Sequence, residues 1–216
     1  MIDISLGGHH LVALAERAIY WPSQHTLLLA DLHLGKADTF RHFGIAIPHA
    51  VQANDIARLN RTLISHRPQR CLILGDFLHG GIINEETSQA WNELVRSLPD
   101  VRFELVIGNH DRYFSANNLM MHAVHAIACI EDVLLTHEPM LRTEWPMPSL
   151  NWNIHGHIHP VIRLPGSGIA YPALALKTPY LSLPAFSEFT AGAIVSTEND
   201  SLWAMLTSEN QVIQIR

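Results

Sequence analysis

Acid, amide and imidazole side chains follow five short apolar runs of the chain. Continuous apolar runs are typical of strands that are covered on both faces, and in open α/β sheets ligands bind beyond the carboxyl ends of the strands. Such side chains can bind metal ions and carry protons. In chain order they are Asp31, His33, Asp76, Asn109, His137, His157 and His159.

Each of these motifs is weak support when it stands alone. Asp-x-His arises by chance, and Gly-Asp after a strand is most often an ordinary turn. Their joint occurrence in this order, each after a predicted strand, is hard to produce by accident. We therefore predict that the seven side chains meet at one rim of the fold and form a metal site.

The residue types indicate which metals this site would take. Carboxylate, imidazole and amide oxygen ligands without a thiolate suit Mn, Fe, Zn or Co, and Mg is a further possibility. Seven ligands are enough for two ions that share one carboxylate, an arrangement that supports in-line displacement at phosphorus. Two divalent ions carry four positive charges, and Asp31 and Asp76 return only two negative ones, so the site would attract a phosphate. We expect two divalent cofactors, with Mn²⁺ favoured.

Apolar patterns predict the elements that would position these side chains. Residues 9–21 are typical of a short hairpin. Predicted buried strands then alternate with helices, the strands at 27–30, 71–74, 103–107 and 133–135 and the helices at 48–66 and 85–98. After about Asn151, short apolar runs without helices between them predict antiparallel sheet. The whole pattern predicts an α/β sandwich of two packed sheets, with the metal site at the C-terminal ends of the strands.

The charge of the chain opposes a tight grip on nucleic acid. Its 216 residues carry a formal net charge of −6, whereas a protein that holds nucleic acid through its phosphates has a basic stripe. Basic residues are locally more frequent at Arg58, Arg61, Arg67 and Arg70. A loop rim or a solvated helix face accounts for them as well as a surface that contacts nucleic acid does. We therefore expect any DNA or RNA to be bound transiently.

Length and cysteine content set further limits. A chain of 216 residues is within the size of one α/β domain, and we expect a single domain over 1–216. Cys71 and Cys129 show no ligand spacing and fit a reducing compartment. The chain lacks the run of about 18 apolar residues that a membrane span needs. We expect no membrane contact and a cytoplasmic location.

Taken in order, the motifs resemble the calcineurin-like metallophosphoesterase superfamily, whose pattern is Asp-x-His, Gly-Asp, Gly-Asn-His-Asp, a lone His and Gly-His-x-His. The resemblance spans 31–159 and implies an αββα sandwich in which hydroxide between two ions attacks phosphorus. It also implies roles for nine residues: one ion held by Asp31, His33 and His159, the other by Asn109, His137 and His157, a bridge from Asp76, proton donation to the leaving oxygen by His110, and orientation of His110 by Asp111.

A narrower resemblance covers most of the chain. The segments ADLHLGK at 30–36, GIAIP at 44–48, HEP at 137–139, GHIHP at 156–160 and LPAF at 183–186 are similar to the ligase-associated DNA damage response endonuclease family, PdeM. That family implies nucleic-acid cleavage in DNA repair, beside an ATP-dependent DNA ligase and a helicase. The chain departs from its pattern at FTAG, where FTGG is expected, and around Pro172 to Pro179, so the resemblance implies nothing about substrate shape on that side.

Four further residues are candidates for substrate contact: Lys36, Arg41, His79 and Arg163. Lys36 and Arg41 follow the first metal motif and could contact a phosphate, or each could form a surface salt bridge. His79 lies three residues beyond Asp76, where a turn or a supporting role fits equally well. Arg163 comes shortly after GHIHP.

Three functions stay open. The favoured one is a metal-dependent phosphodiesterase or endonuclease that acts on DNA or RNA. The second is a phosphoesterase for a small molecule or nucleotide, which the acidic charge keeps open. The third is a non-catalytic module that binds a partner, against which the complete ligand set and His110 argue. The sequence indicates neither the oligomeric state nor the metals bound in the cell.

Overall fold

The structure, a computed structural model, describes residues 1–48, 50–116, 118–164, 166, 168–195 and 201–215. Its first sheet contains seven strands in chain order, and three α-helices belong to the same part of the chain. These elements are β1 (Ile2–Leu6), β2 (His9–Leu14), β3 (Ala18–Trp21), β4 (Thr26–Leu29), α1 (Lys36–His42), α2 (Ala50–His66), β5 (Arg70–Leu74), α3 (Glu85–Ser97), β6 (Arg102–Val106) and β7 (Ala123–His125).

The first sheet changes direction at β4. Strands β1 to β4 pair antiparallel through short turns, which confirms the predicted hairpin, and β4 to β7 pair parallel. Helices α1 and α2 connect β4 to β5, and α3 connects β5 to β6. Because β4, β5 and β6 run parallel, their carboxyl ends meet at one edge of the sheet.

Helices α2 and α3 cover the outer face of this sheet. The side chains of Leu59 and Leu63 on α2 and of Trp91 and Leu94 on α3 are buried in one cluster with Leu27, Ile73 and Phe103 of the sheet. The stripe of apolar residues at helical spacing therefore faces the strands, as the sequence predicts.

Asn84 begins α3 by accepting a hydrogen bond from the backbone N–H of Thr87 at 2.7 Å.

The second sheet contains nine strands. They are β8 (Ala128–Ile130), β9 (Val133–Thr136), β10 (Trp152–His155), β11 (Pro160–Arg163), β12 (Ala170–Lys177), β13 (Tyr180–Ser182), β14 (Ala193–Ile194), β15 (Ser201–Leu206) and β16 (Gln211–Gln214). The sheet is mixed, since β10 pairs parallel with β9 and β13 while β12 pairs antiparallel with β11, β13 and β15. The prediction of a purely antiparallel last part is therefore wrong, because the loop between β9 and β10 is long enough for a parallel crossover without an α-helix.

The main core lies between the two sheets. Leu28 and Leu72 of the first sheet share it with Leu135 and Ile154 of the second, while alternate strand residues face the helices, so both faces of β4 and β5 are apolar. The predicted α/β sandwich of two packed sheets is confirmed. Over the described ranges no α-helix covers the outer face of the second sheet, where Trp145 packs instead.

No helix in the described part of the chain combines the length and the apolar character that crossing a bilayer requires. Cys71 is buried and Cys129 is exposed, and both are free thiols. A single domain over 1–216 stays a prediction.

Candidate metal centre

The seven predicted ligands lie at the carboxyl ends of five strands from both sheets. Asp31 and His33 follow β4, Asp76 follows β5, Asn109 follows β6, His137 follows β9, and His157 and His159 follow β10. The sheets meet at this rim through a parallel bridge between Ala30 and Ala185.

Left-handed backbone conformations set the side-chain directions of most of these predicted ligands. Ten residues other than glycine have a positive φ in the described part of the chain, and five of them are predicted ligands: Asp31 at 58°, His33 at 50°, Asp76 at 48°, His157 at 67° and His159 at 49°. Each such residue costs about 1–3 kcal/mol and persists where its surroundings hold it. Strain therefore concentrates at the site and places these side chains where a regular strand would not.

Two motif glycines allow close approach between the loops of this rim. Gly75 has φ +76°, and a Cβ there would lie 2.4 Å from the His137 ring. A Cβ on Gly108 would lie 2.3 Å from the backbone nitrogen of Asp76. The glycines before Asp76 and Asn109 are thus required because a side chain at either place would push a ligand away.

The first cluster consists of Asp31, His33 and His159, whose ligand atoms lie within 4.8 Å of one another. Asp31 Oδ1 and His159 Nε2 are 3.0 Å apart. Both atoms, like His33 Nδ1, are buried without a hydrogen-bond partner among the described residues. Buried polar atoms left in this state cost about 1–3 kcal/mol each. A cation would satisfy the facing oxygen and nitrogen, so these residues fit a metal ion.

The second cluster consists of Asp76, His137 and His157, which also present ligand atoms within 4.8 Å of one another. His137 Nε2 lies 3.3 Å from Asp76 Oδ1, 3.1 Å from His157 Nδ1 and 2.9 Å from Asn109 Oδ1. His137 Nδ1 is 3.9 Å from Asp31 Oδ1, which places the two clusters side by side. All seven predicted ligands are therefore brought together.

Backbone carbonyls orient two of the histidines. His137 Nδ1 lies 3.1 Å from the carbonyl oxygen of Leu74, and His159 Nδ1 lies 3.2 Å from that of Ala191. Donation from Nδ1 to these oxygens assigns the proton to that nitrogen and leaves Nε2 available to a metal. Metal-binding histidines are usually held in this way.

The protonation of the ligands follows from burial and charge. Burial lowers the pKa of His33 to about 3 and keeps its ring neutral, which is the form that binds metals. Burial also opposes a charge on His137, but the hydrogen bond and negative charge of Asp76 outweigh it and raise the pKa of His137 to about 9. A proton therefore competes with a cation for the second cluster at neutral pH.

His110 and Asp111 lie beside the second cluster but contact different groups. The backbone N–H of His110 donates to Asp76 Oδ1 at 2.9 Å, and its ring is 41% exposed. Asp111 is buried and accepts from the backbone N–H groups of Leu78 and Gly108, each at 2.8 Å, and burial raises its pKa. Its carboxylate thus joins the loops after β5 and β6, so any influence on His110 acts through the backbone.

The four candidate substrate contacts divide into two pairs. Lys36 donates to Thr190 Oγ1 at 3.1 Å, and His79 is half-buried with its ring stacked on that of His110, so both border the centre. Arg41 forms an ion pair with Asp38 and donates to the carbonyl of Ile47, which matches the salt-bridge alternative. Arg163 is exposed at the end of β11.

Sequence reasoning missed the supporting role of residues 183–192, the support segment. Its backbone N–H groups at Phe186 and Ser187 donate to the carbonyls of Ala30 and Asp31, and Ala191 faces His159. The segment thus holds the backbone of one ligand and the ring of another. The LPAF and FTAG motifs were its signal in the sequence, but neither indicates a role.

Comparison with known proteins gives an independent result. The model of the calcineurin-like phosphoesterase family matches residues 25–131. The crystal structure of the Pseudomonas putida nuclease MPE is 29% identical, with 99% of each chain covered and a TM-score of 0.81. The phosphoesterase YfcE from E. coli is 17% identical over 88% of this chain and 97% of its own, with a TM-score of 0.47. No curated protein matches the chain.

The matched family model and the shared fold agree with the ligand clusters at the strand ends. The chain is a metal-dependent phosphoesterase, and its matched residues and fold are consistent with the metallophosphoesterase superfamily.

Proposed function

We propose that the chain is a phosphodiesterase that uses two divalent ions, Mn²⁺ in the first place, to cleave nucleic acid. The observation that carries the proposal is the pair of ligand clusters that lie side by side. Two adjacent ions stabilise the charge that develops on phosphorus-bound oxygens during in-line displacement. The likeness over almost its whole length to the Pseudomonas putida nuclease supports nucleic acid as the substrate class.

In this proposal each cluster would hold one ion, Asn109 would complete the second cluster, and Asp76 would be shared between the two. When bound, the ions supply Lewis-acid charge to the phosphate and activate water. His137 and His159 would hold these ions through Nε2, because their Nδ1–H groups donate to backbone carbonyls and leave Nε2 free to bind.

His110 is the proposed proton donor to the leaving oxygen. Its half-exposed ring lies next to the second cluster, with Nε2 3.9 Å from Asp76 Oδ2, and the backbone bond to Asp76 Oδ1 keeps it there. An alkoxide is a poor leaving group, so a proton delivered at that oxygen speeds departure by about 10²–10⁴-fold. Asp111 supports the loop that carries His110.

A substrate panel tests the proposal. Protein loaded with Mn²⁺ is given bis(4-nitrophenyl) phosphate, 4-nitrophenyl phosphate, nicked and single-stranded DNA, RNA and cyclic nucleotides, with Asp31→Asn as the inactive control. We expect cleavage of the diester and of a polynucleotide. Activity on the monoester alone would favour a small-molecule phosphoesterase, the alternative that the net charge of −6 keeps open. No turnover at full metal occupancy would favour a non-catalytic module.

A role in DNA repair beside an ATP-dependent DNA ligase and a helicase, and a cytoplasmic location, are part of the proposal on the strength of the sequence alone. Co-purification of the chain with the ligase or the helicase tests the first, and cell fractionation tests the second.

A further inference from the structure

Three half-buried rings continue from His110 along one side of the metal centre. The His79 ring stacks on His110 with centroids 5.4 Å apart, the Phe40 centroid is 6.4 Å from that of His79, and the Phe189 centroid is 5.3 Å from that of Phe40. We call His79, Phe40 and Phe189 the ring row. The centroid of His79 also lies 5.6 Å from that of His33 in the first cluster.

The three rings of the row belong to segments that follow or contact the predicted ligands. His79 follows Asp76 by three residues, Phe40 lies on α1 shortly after His33, and Phe189 belongs to the support segment. The rings therefore keep their positions relative to the two clusters.

The two phenylalanines of the row differ from those of the core. Phe77, Phe103 and Phe186 are fully buried, whereas Phe40 and Phe189 keep part of their surface open to solvent. Partly open apolar rings beside a site for a charged phosphate are suited to a ligand that has both a charged and a flat apolar part. A nucleotide has both.

We propose that the ring row binds the nucleobase on the leaving-group side of the scissile phosphodiester, an inference that rests on the proposed function. His110 must face the leaving oxygen in order to protonate it, and the row begins at His110. The leaving nucleoside therefore lies beside His79 and Phe40. Stacking of a base on such a ring contributes about 1–3 kcal/mol and accepts any base.

The charge of the protein agrees with binding by stacking. The chain carries a net charge of −6, and phosphate contacts alone would give it little affinity for a polyanion. Lys36 is the cation next to the row, with Nζ 5.7 Å from the Phe189 centroid. Stacking does not release counterions, so turnover should fall less steeply with salt than for an enzyme that depends on phosphate contacts.

Two dinucleotides test the proposal on the Mn²⁺-loaded protein. One contains two deoxythymidines joined by a phosphodiester, and in the other the leaving nucleoside lacks its base. We expect kcat/KM to be about fivefold or more higher for the complete dinucleotide, which is the low end of the contribution of one stacked base. Phe40→Leu and Phe189→Leu should each reduce this preference severalfold. Tyr20→Leu is the matched control, because this half-buried ring packs against His66 at the opposite end of β4.

The possible results distinguish failure of the base-binding subsite from failure of the proposed function. Equal kcat/KM for two dinucleotides that are both cleaved would overturn the subsite and leave the proposed function standing. A preference that survives both ring substitutions would overturn its assignment to the ring row. Activity on 4-nitrophenyl phosphate without cleavage of either dinucleotide would overturn the proposed function itself. The comparison in the unsubstituted protein stays decisive even where a variant fails to fold.

Discussion

Replacement of Arg58 by methionine should lower the free energy of unfolding by several kcal/mol. Arg58 lies on α2 and is 3% exposed. Its guanidinium is 2.7 Å from Asp55 Oδ1 and 2.6 Å from Glu188 Oε1, and it also donates to the carbonyl of Phe186. One buried side chain thereby connects α2 to the support segment.

The magnitude follows from the groups that the substitution leaves behind. Asp55 is 2% exposed and would lose its charged partner. Removal of one member of a buried ion pair costs about 3–5 kcal/mol, because the other charge stays buried and uncompensated. Burial already raises the pKa of Asp55, and the loss of Arg58 would raise it further. Since protonation relieves such a carboxylate, the deficit should be largest near neutral pH and shrink as the pH falls towards the ordinary Asp pKa of about 4.

Urea denaturation at neutral pH, followed by circular dichroism, measures the effect. Arg61→Met, at an exposed position on the same helix, is the matched control and should change the free energy of unfolding by less than about 0.5 kcal/mol. The double variant Arg58→Met with Asp55→Leu should recover much of the loss, because apolar replacement of both charges is often neutral. A double variant no more stable than Arg58→Met alone would refute the reasoning, as would a loss below about 1 kcal/mol for the single change.

Three further predictions concern catalysis, metal binding and stability. His110→Ala should lower kcat for a dinucleotide by about 10²–10⁴-fold. The loss should be much smaller for bis(4-nitrophenyl) phosphate, because its leaving group needs no proton. Equal losses on both substrates would contradict the role of His110 as proton donor. Asp76→Asn should reduce the metal content of both clusters in elemental analysis after dialysis; two ions retained per chain would speak against a shared carboxylate. Glu104→Gln should lower the free energy of unfolding at neutral pH by about 1 kcal/mol, because the carboxylate accepts from Arg102 at 2.7 Å and from His125 at 2.8 Å. Burial acts to raise the pKa of Glu104, but these partners hold it below its ordinary value. The stabilisation that the Glu104 carboxylate provides therefore disappears as the pH falls through that lowered pKa. If the free energies of unfolding of variant and parent fail to converge in acid, this prediction is contradicted.

The meeting of the predicted ligands at one rim could be foreseen because each follows the end of an apolar run in the sequence. Asp31, Asp76 and Asn109 follow apolar runs that become the parallel neighbours β4, β5 and β6, and parallel pairing alone brings their carboxyl ends together. Helix α1 was missed because seven residues are too few to show helical periodicity, and it begins after Gly35 in a left-handed conformation.

The supports of the site could not be predicted because no side-chain pattern marks them. The groups that orient His137 and His159 are backbone carbonyls brought there by tertiary structure. The interpretation of Arg58 as part of a loop rim or solvated helix face is wrong, since Phe186 and Glu188, far along the chain, cover that face of α2.

Each ligand cluster takes side chains from both layers of the sandwich, with His159 opposite Asp31 in one and His137 opposite Asp76 in the other. An ion in either place would act as a cross-link, and its affinity would add to the free energy of folding. A free metal concentration of 100 times Kd adds about 2.7 kcal/mol per site. Chelators should therefore lower the melting temperature, and amide exchange should accelerate first where one sheet faces the other, ahead of the outer helices.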